Sequence, residues 1–186
     1  YSGRTHAALF VVEGPEPNGR FGGSVSSAGD VNGDGQIDII VGSGTHDDHR
    51  ALRPAGRTLV ISGADASVIH ELPWRGAFVA AAGDVDADGH ADLLIGTPSD
   101  HASGSLHLVS GLDGDVLMTV KGDEDGDRFG VAVAASGDLD GDGHPDVIVG
   151  ADEFLSEAPP RGSVQVLSLQ GHSGGASGTP TTDAQS

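Results

Sequence analysis

The chain has 186 residues, nine basic against 28 acidic, for a formal charge of −19. A nucleic-acid binder needs a cationic stripe to displace counterions from phosphate, and a chain with a single lysine, Lys121, has none. Aromatics at 4% and Gly at 31 positions argue against a large helical core, and the absence of Cys excludes disulfides, Cys-ligated zinc and thiol catalysis.

In chain order, the first apolar cluster is Ala7–Val12. It is far shorter than the roughly 18 apolar residues of a membrane helix, and neither it nor any later cluster predicts membrane insertion. The chain opens on Tyr1 and reads as a processed or excised piece with no signal peptide. A small-residue stretch, Val25–Gly29, then leads into an acidic loop, Gly29-Asp30-Val31-Asn32-Gly33-Asp34-Gly35-Gln36-Ile37-Asp38, which a short apolar run leaves. The same sequence of events recurs at Gly83–Asp92 and at Gly137–Asp146. The first aspartates of the three loops lie at 30, 84 and 138, so both intervals are 54 residues. Self-similarity at a fixed period is the signature of a repeat architecture.

Each unit carries the same landmarks. The apolar run after the loop is about four residues long and ends at Gly42, Gly96 or Gly150, which suits a buried strand rather than a helix. Segments 56–62, 104–110 and 162–168 follow, with period-2 alternation in Leu106-His107-Leu108 and Val164-Gln165-Val166 that marks half-buried strands. Turn-forming Gly63-Ala64-Asp65-Ala66 and Gly111-Leu112-Asp113-Gly114 lead into Val68–Leu72 and Val116–Val120. Each unit is therefore expected to be a four-stranded antiparallel meander. Ala7–Val12 fits the fourth strand of a preceding unit, and the third unit lacks a fourth strand of its own. Ten of the 16 residues of Gly171–Ser186 are Gly, Ser or Thr, a composition expected of a flexible tail.

Numbered from its first Asp, each loop places oxygen side chains at positions 1, 3, 5 and 9. These are Asp30, Asn32, Asp34 and Asp38; Asp84, Asp86, Asp88 and Asp92; and Asp138, Asp140, Asp142 and Asp146. Gly at position 6 lets the chain fold back, so that Gln36, His90 or His144 at position 7 can offer a backbone carbonyl. Hard oxygen ligands in this number suit Ca²⁺, about three ions per chain, better than the tighter octahedron of Mg²⁺. An EF-hand is excluded, because it needs a Glu at position 12 and flanking helices, where this chain has Val41, Ile95 and Val149 within apolar runs. The competing reading is of solvated Asp-Gly turns, but eleven carboxylates crowded with hardly a nearby cation would repel by about 1 kcal/mol or more per pair. Loop 1 has one carboxylate fewer and is expected to be the weakest site.

These residues resemble the FG-GAP repeat of integrin α-subunit β-propellers and of many bacterial surface and secreted proteins. Phe21-Gly22 and Phe129-Gly130 match the opening of the pattern, each nine residues ahead of the loop Asp; Arg75-Gly76 stands there in the second unit, with Phe78 three residues later. The Gly-Ala-Pro element of the family is eroded to Gly42-Ser43-Gly44, Gly96-Thr97-Pro98 and Gly150-Ala151-Asp152. The resemblance implies an all-β fold of propeller blades, with the matching loop residues as calcium ligands. It divides the chain into the last strand of a preceding blade (1–14), blade 1 (15–72), blade 2 (73–120), blade 3 without its fourth strand (121–170) and the tail (171–186). A propeller closes with 4–8 blades, so further blades from a longer chain, or a second copy lending Ala7–Val12 to blade 3, are implied.

No enzymatic site is expected, since Gly-x-Ser-x-Gly, His-Glu-x-x-His and phosphate-binding Gly-Lys-Ser/Thr are all missing. His46-Asp47-Asp48-His49 reads as a solvated loop, Gly122–Asp127 as an acidic connection without metal, and Trp74 as a packing residue. The imidazoles of His90 and His144 are expected to face water. Loop length varies at the blade end opposite the calcium loops, over Ser43–Ala55, Thr97–Ser103 and Ala151–Arg161, as recognition loops on a rigid scaffold do. Arg50, Arg53 and Arg161 make that end the less acidic one. The function these features imply is extracellular adhesion or recognition of a protein or carbohydrate. The alternative is a non-catalytic accessory module of a secreted hydrolase or lyase.

Overall fold

The computed structural model describes residues 7–15, 20–43, 57–74, 78–98, 103–152 and 162–169. Within them the chain forms three antiparallel meanders and no helix. Sheet 1 holds β1 (Phe21–Gly29), β2 (Asp38–Ser43), β3 (Thr58–Ile61) and β4 (Val68–Leu72) in that order. Sheet 2 holds β5 (Phe78–Gly83), β6 (Asp92–Thr97), β7 (Ser105–Val109) and β8 (Val116–Lys121). Sheet 3 has three strands: β9 (Ala132–Gly137), β10 (Asp146–Ala151) and β11 (Ser163–Ser168).

The 54-residue period is visible in the register. Gly29 pairs with Asp38, Gly83 with Asp92 and Gly137 with Asp146, and each pair sits beside a register shift that leaves Ala28, Ala82 or Ser136 as an extra residue. A bulge of this kind bends the strand and re-aims the loop that follows it. The acidic loop thus leaves every blade from the same register position.

The sheets stack face to face. Ile40 and Val60 of sheet 1 meet Val79, Leu93, Ile95 and Val109 of sheet 2 in one core cluster. The opposite face of sheet 2, with Leu94, Leu106 and Leu108, meets Val147, Val149 and Phe129 in a second. Sheet 2 is covered on both sides, and all six residues of β6 are buried. That is why its sequence, Asp-Leu-Leu-Ile-Gly-Thr, reads as a near-continuous apolar run. Where two sheets come closest, only Gly fits: a Cβ on Gly96 would lie 2.1 Å from the Gly130 carbonyl oxygen. β1, β5 and β9 lie successively side by side, as the innermost strands of propeller blades do.

The two outer sheets each leave one apolar face without a neighbouring blade. On sheet 1 that face carries Val41, Leu59 and Ile61, partly covered by Val12 and Phe21, with Val25 exposed. On sheet 3, Ile148 pairs with Val166 and Gly150 with Val164, and both valines are more than half exposed. The array is an open arc.

Residues 7–12, expected as a strand, form none, and Leu9 and Val11 are exposed. A fourth strand pairs with the third strand of its own blade, and none of the described residues supplies that partner. Its assignment to a preceding blade, like the division of the chain into blades at the stated boundaries, therefore stands as a proposal. Trp74 packs against the first core cluster, with its ring 5.0 Å from that of His107. His46-Asp47-Asp48-His49, Arg50, Arg53, Arg75-Gly76, Arg161 and the tail lie outside the described residues.

Candidate metal centres

The three acidic loops share one internal geometry, set by carboxylates that gather the loop's own amides. The position-5 amide donates to Oδ1 of position 1: Asp34 to Asp30 at 3.0 Å, Asp88 to Asp84 at 3.1 Å and Asp142 to Asp138 at 3.1 Å. The position-6 glycine donates to Oδ2 of the same carboxylate, from Gly35, Gly89 and Gly143 at 2.9, 3.0 and 2.9 Å. Position 3 accepts from the position-5 amide, and position 5 accepts from the amides of Gln36, His90 and His144. The loop is thereby wound round its acidic side chains. Gly35, Gly89 and Gly143 have φ of 83, 92 and 92°, the left-handed region the sequence implied.

Position 4 is left-handed too, which the sequence reading missed. Gly33 and Gly141 occupy it without strain, but in loop 2 it is Ala87, with φ of 62°. A Cβ in that region costs about 1–2 kcal/mol. The signal was present as Gly at the fourth place of two loops out of three.

The position-9 aspartates are the buried members of the set. Asp38, Asp92 and Asp146 are at most 1% exposed. Oδ2 of each accepts from the position-2 amide, from Val31 at 2.8 Å, Val85 at 2.7 Å and Leu139 at 2.6 Å. Oδ1 of Asp38 accepts from Gly63 and Oδ1 of Asp92 from Gly111, both at 3.0 Å. These aspartates thus tie the acidic loop to the turn joining the third and fourth strands. Burial pushes the Asp92 carboxyl up from the ordinary value, the amides of Val85 and Gly111 pull it back, and nearby Asp86 adds to the rise.

The third blade differs. Leu169 stands where Gly63 and Gly111 stand in the other two. A Cβ on either glycine would lie 2.0 Å from the position-8 carbonyl oxygen, so a leucine cannot bring its amide as close. Oδ1 of Asp146 is accordingly buried with no hydrogen-bond partner among the described residues.

That orphaned oxygen bears on whether a cation fits. Asp138, Asp140 and Asp146 bring carboxylate oxygens within 4.8 Å of one another, and Asp84, Asp86 and Asp88 do the same in loop 2. Asp146 is a buried carboxylate with one unpartnered oxygen, grouped with two further carboxylates, and a hard divalent cation supplies the positive partner such a group lacks. The residues present fit calcium. In loop 1 the Asn32 amide nitrogen lies 3.2 Å from Asp34 Oδ2, and no comparable three-carboxylate group forms there among the described residues.

His90 departs from its expectation. Its imidazole is half-buried and turned to the neighbouring loop, with Nδ1 2.7 Å from the Val31 carbonyl oxygen. The contact depends on how blades stack, which one blade's sequence does not encode. The acidic turn Gly122–Asp127 closes on itself, with the Glu124 amide donating to Asp127 Oδ2 at 2.9 Å, and it brings together no metal-sized group of carboxylates.

The model of the FG-GAP repeat matches residues 21–61, 76–109 and 129–167, more than half of the chain and one match per sheet. Among curated proteins the chain is similar to integrin alpha-4 of Xenopus laevis, 28% identical over 177 residues, covering 85% of this chain and 17% of that protein. It is 33% identical to integrin alpha pat-2 of Caenorhabditis elegans over 153 residues, 69% of this chain and 12% of that protein. To integrin alpha-IIb of Homo sapiens it is 29% identical over 164 residues, 77% of this chain and 16% of the relative. The chain thus spans about a sixth or less of the length of these relatives.

Proposed function

The chain belongs to the FG-GAP repeat family, and from that premise we propose that it is a calcium-binding segment of an extracellular β-propeller that serves adhesion or recognition. The observation that carries the calcium reading is Asp146, a buried carboxylate with an unpartnered oxygen among the described residues that is grouped with Asp138 and Asp140. The ligands are the side chains at positions 1, 3, 5 and 9 of each loop and the backbone carbonyls of Gln36, His90 and His144. Calcium supplies the positive charge that lets these carboxylates stay ionised side by side. The chain's own amides orient positions 1, 3 and 5, and the position-9 aspartate fastens the loop to the body of the blade.

Recognition belongs to the opposite end of the blades, where Ser43, Thr97 and Ala151 end the second strands and the connections vary in length. Its partner is a protein or a glycan. The exposed apolar face of sheet 3, and the outer face of sheet 1 where Val12 and Phe21 now lie, take further blades, from the same longer chain or from a second copy. The relatives, named as integrin alpha subunits, support adhesion over the role of an accessory module beside a catalytic domain.

Thermal unfolding tests the calcium reading. Extracellular calcium modules reach Kd values of about 0.1 mM at the tight end of their range, and at that affinity 1 mM calcium contributes about 1.4 kcal/mol per filled site and about 4 for three. The expected result is a melting temperature about 10 °C higher in calcium than in chelator, with a smaller rise in magnesium. Equal melting temperatures in calcium and chelator would sink the reading.

A further inference from the structure

Loops 1 and 2 touch, and loops 2 and 3 lack the same contact. The Ala91 amide donates to the carbonyl of Asp30 at 2.9 Å, so the first ligand residue of loop 1 is held by position 8 of loop 2. His90 Nδ1 lies 2.7 Å from the Val31 carbonyl. A carbonyl can only accept, so the ring donates. The His90 ring also covers Gly33: a Cβ there would lie 3.2 Å from Cε1. Ala91 in turn packs on Gly29, where an added Cβ would come within 2.5 Å of the Ala91 Cβ. Four places on loop 1, at Gly29, Asp30, Val31 and Gly33, are thus fixed by two consecutive residues of loop 2.

The corresponding junction between loops 2 and 3 is different for a covalent reason. Pro145 occupies the place of Ala91 and has no N–H to donate to Asp84. Gly83, the counterpart of Gly29, has nothing within 4 Å of where its Cβ would be. Loop 3 is not seated on loop 2 as loop 2 is on loop 1.

We propose that calcium binding at loops 1 and 2 is positively coupled through His90 and Ala91, while loop 3 binds independently. The inference rests on the calcium reading above. Residue 90 has two roles: its carbonyl is a ligand of loop 2, and its ring holds the Val31 carbonyl of loop 1. Ordering loop 2 around an ion therefore fixes a ring and an amide that order loop 1. The ordering free energy is spent once for both sites, and by linkage the effect is reciprocal.

Gly35, Gly89 and Gly143 each donate to the first carboxylate of their own loop, so their amide NMR signals report the three sites separately during a calcium titration. Disabling loop 2 with Asp86→Asn and Asp88→Asn, which keep the acceptor oxygens, is expected to raise the Gly35 midpoint at least about five-fold. Asp140→Asn with Asp142→Asn in loop 3 should leave the Gly35 midpoint in place. His90→Ala removes the ring but no ligand oxygen, and should pull the Gly35 and Gly89 midpoints apart. A Gly35 midpoint unmoved by both the loop 2 pair and His90→Ala overturns the coupling while calcium binding stands. If none of the three signals responds to calcium in the unaltered chain, the calcium reading fails and the coupling with it.

Discussion

Phe129→Ala is expected to destabilise the chain by about 3–5 kcal/mol, the largest loss from any single truncation. Phe129 is the largest fully buried side chain among the described residues, 1% exposed, in the cluster that joins sheets 2 and 3. The cost of such a truncation depends on whether the surroundings can collapse into the space left behind. Here they are held by backbone. The Phe129 amide donates to the Ser103 carbonyl at 2.9 Å, and the residue bridges to Gly104. A Cβ on Gly104 would lie 2.3 Å from the Phe129 carbonyl oxygen, and one on Gly122 would lie 2.8 Å from the Phe129 Cβ. Two close backbone approaches leave little freedom to refill the site, so the loss should fall high in the range. Urea unfolding of the variant checks this. Phe21→Ala, at the same repeat position but only half-buried on the open face of sheet 1, should cost clearly less. Equal losses at the two positions would contradict the assignment of Phe129 as the anchor between blades.

Asp92→Ala, measured in chelator so that no ion is involved, is expected to cost about 3 kcal/mol or more. Truncation leaves the amides of Val85 and Gly111 buried without acceptors, at about 1–3 kcal/mol for each. Relief from burying a carboxylate offsets part of that, and burial does push this carboxyl up. Asp92→Asn retains one acceptor and should recover roughly half of the loss. The third blade supplies an internal comparison. Asp146 holds only the Leu139 amide, so Asp146→Ala in chelator should be milder than Asp92→Ala by about the value of one such hydrogen bond, 1 kcal/mol or more. If the two variants unfold alike, the position-9 aspartates do not work as clamps between loop and turn.

The architecture was legible because it is local and repeated. Each apolar run after a loop became the second strand of its sheet, ending at the expected glycine region, and the four-strand meander followed for the first two units. The third sheet has three strands among the described residues, and the stretch after Leu169, where a fourth would follow, lies outside them. What the sequence did not disclose depends on contacts between repeats. His90 carries the same solvated promise as His144 until loop 2 is set against loop 1. Leu169 looks like an ordinary apolar residue until its alignment with Gly63 and Gly111 shows that the missing glycine leaves Asp146 without a second amide. Ala87 obeys a backbone demand that its own side chain gives no hint of. The position-9 aspartates were read only as ligands, yet their two amide bonds depend on a turn 19 or 25 residues further along, as Asp92–Gly111 and Asp38–Gly63 show.

Loop 1 and loop 3 bracket the range of site chemistry. Loop 1 has Asn32 in place of a carboxylate and both oxygens of Asp38 occupied by amides; loop 3 has four carboxylates and one buried oxygen free. On charge and on unpartnered acceptors, loop 3 is expected to be the tighter site.

The central claim is that the repeated aspartates are calcium ligands rather than solvated turns. Native mass spectrometry of the purified 18.6 kDa chain, first in calcium and then after chelation, counts the ions directly. The account predicts three calcium ions per chain that leave on chelation. A folded chain that retains none would contradict it, and would reduce the three loops to acidic turns that happen to share a period.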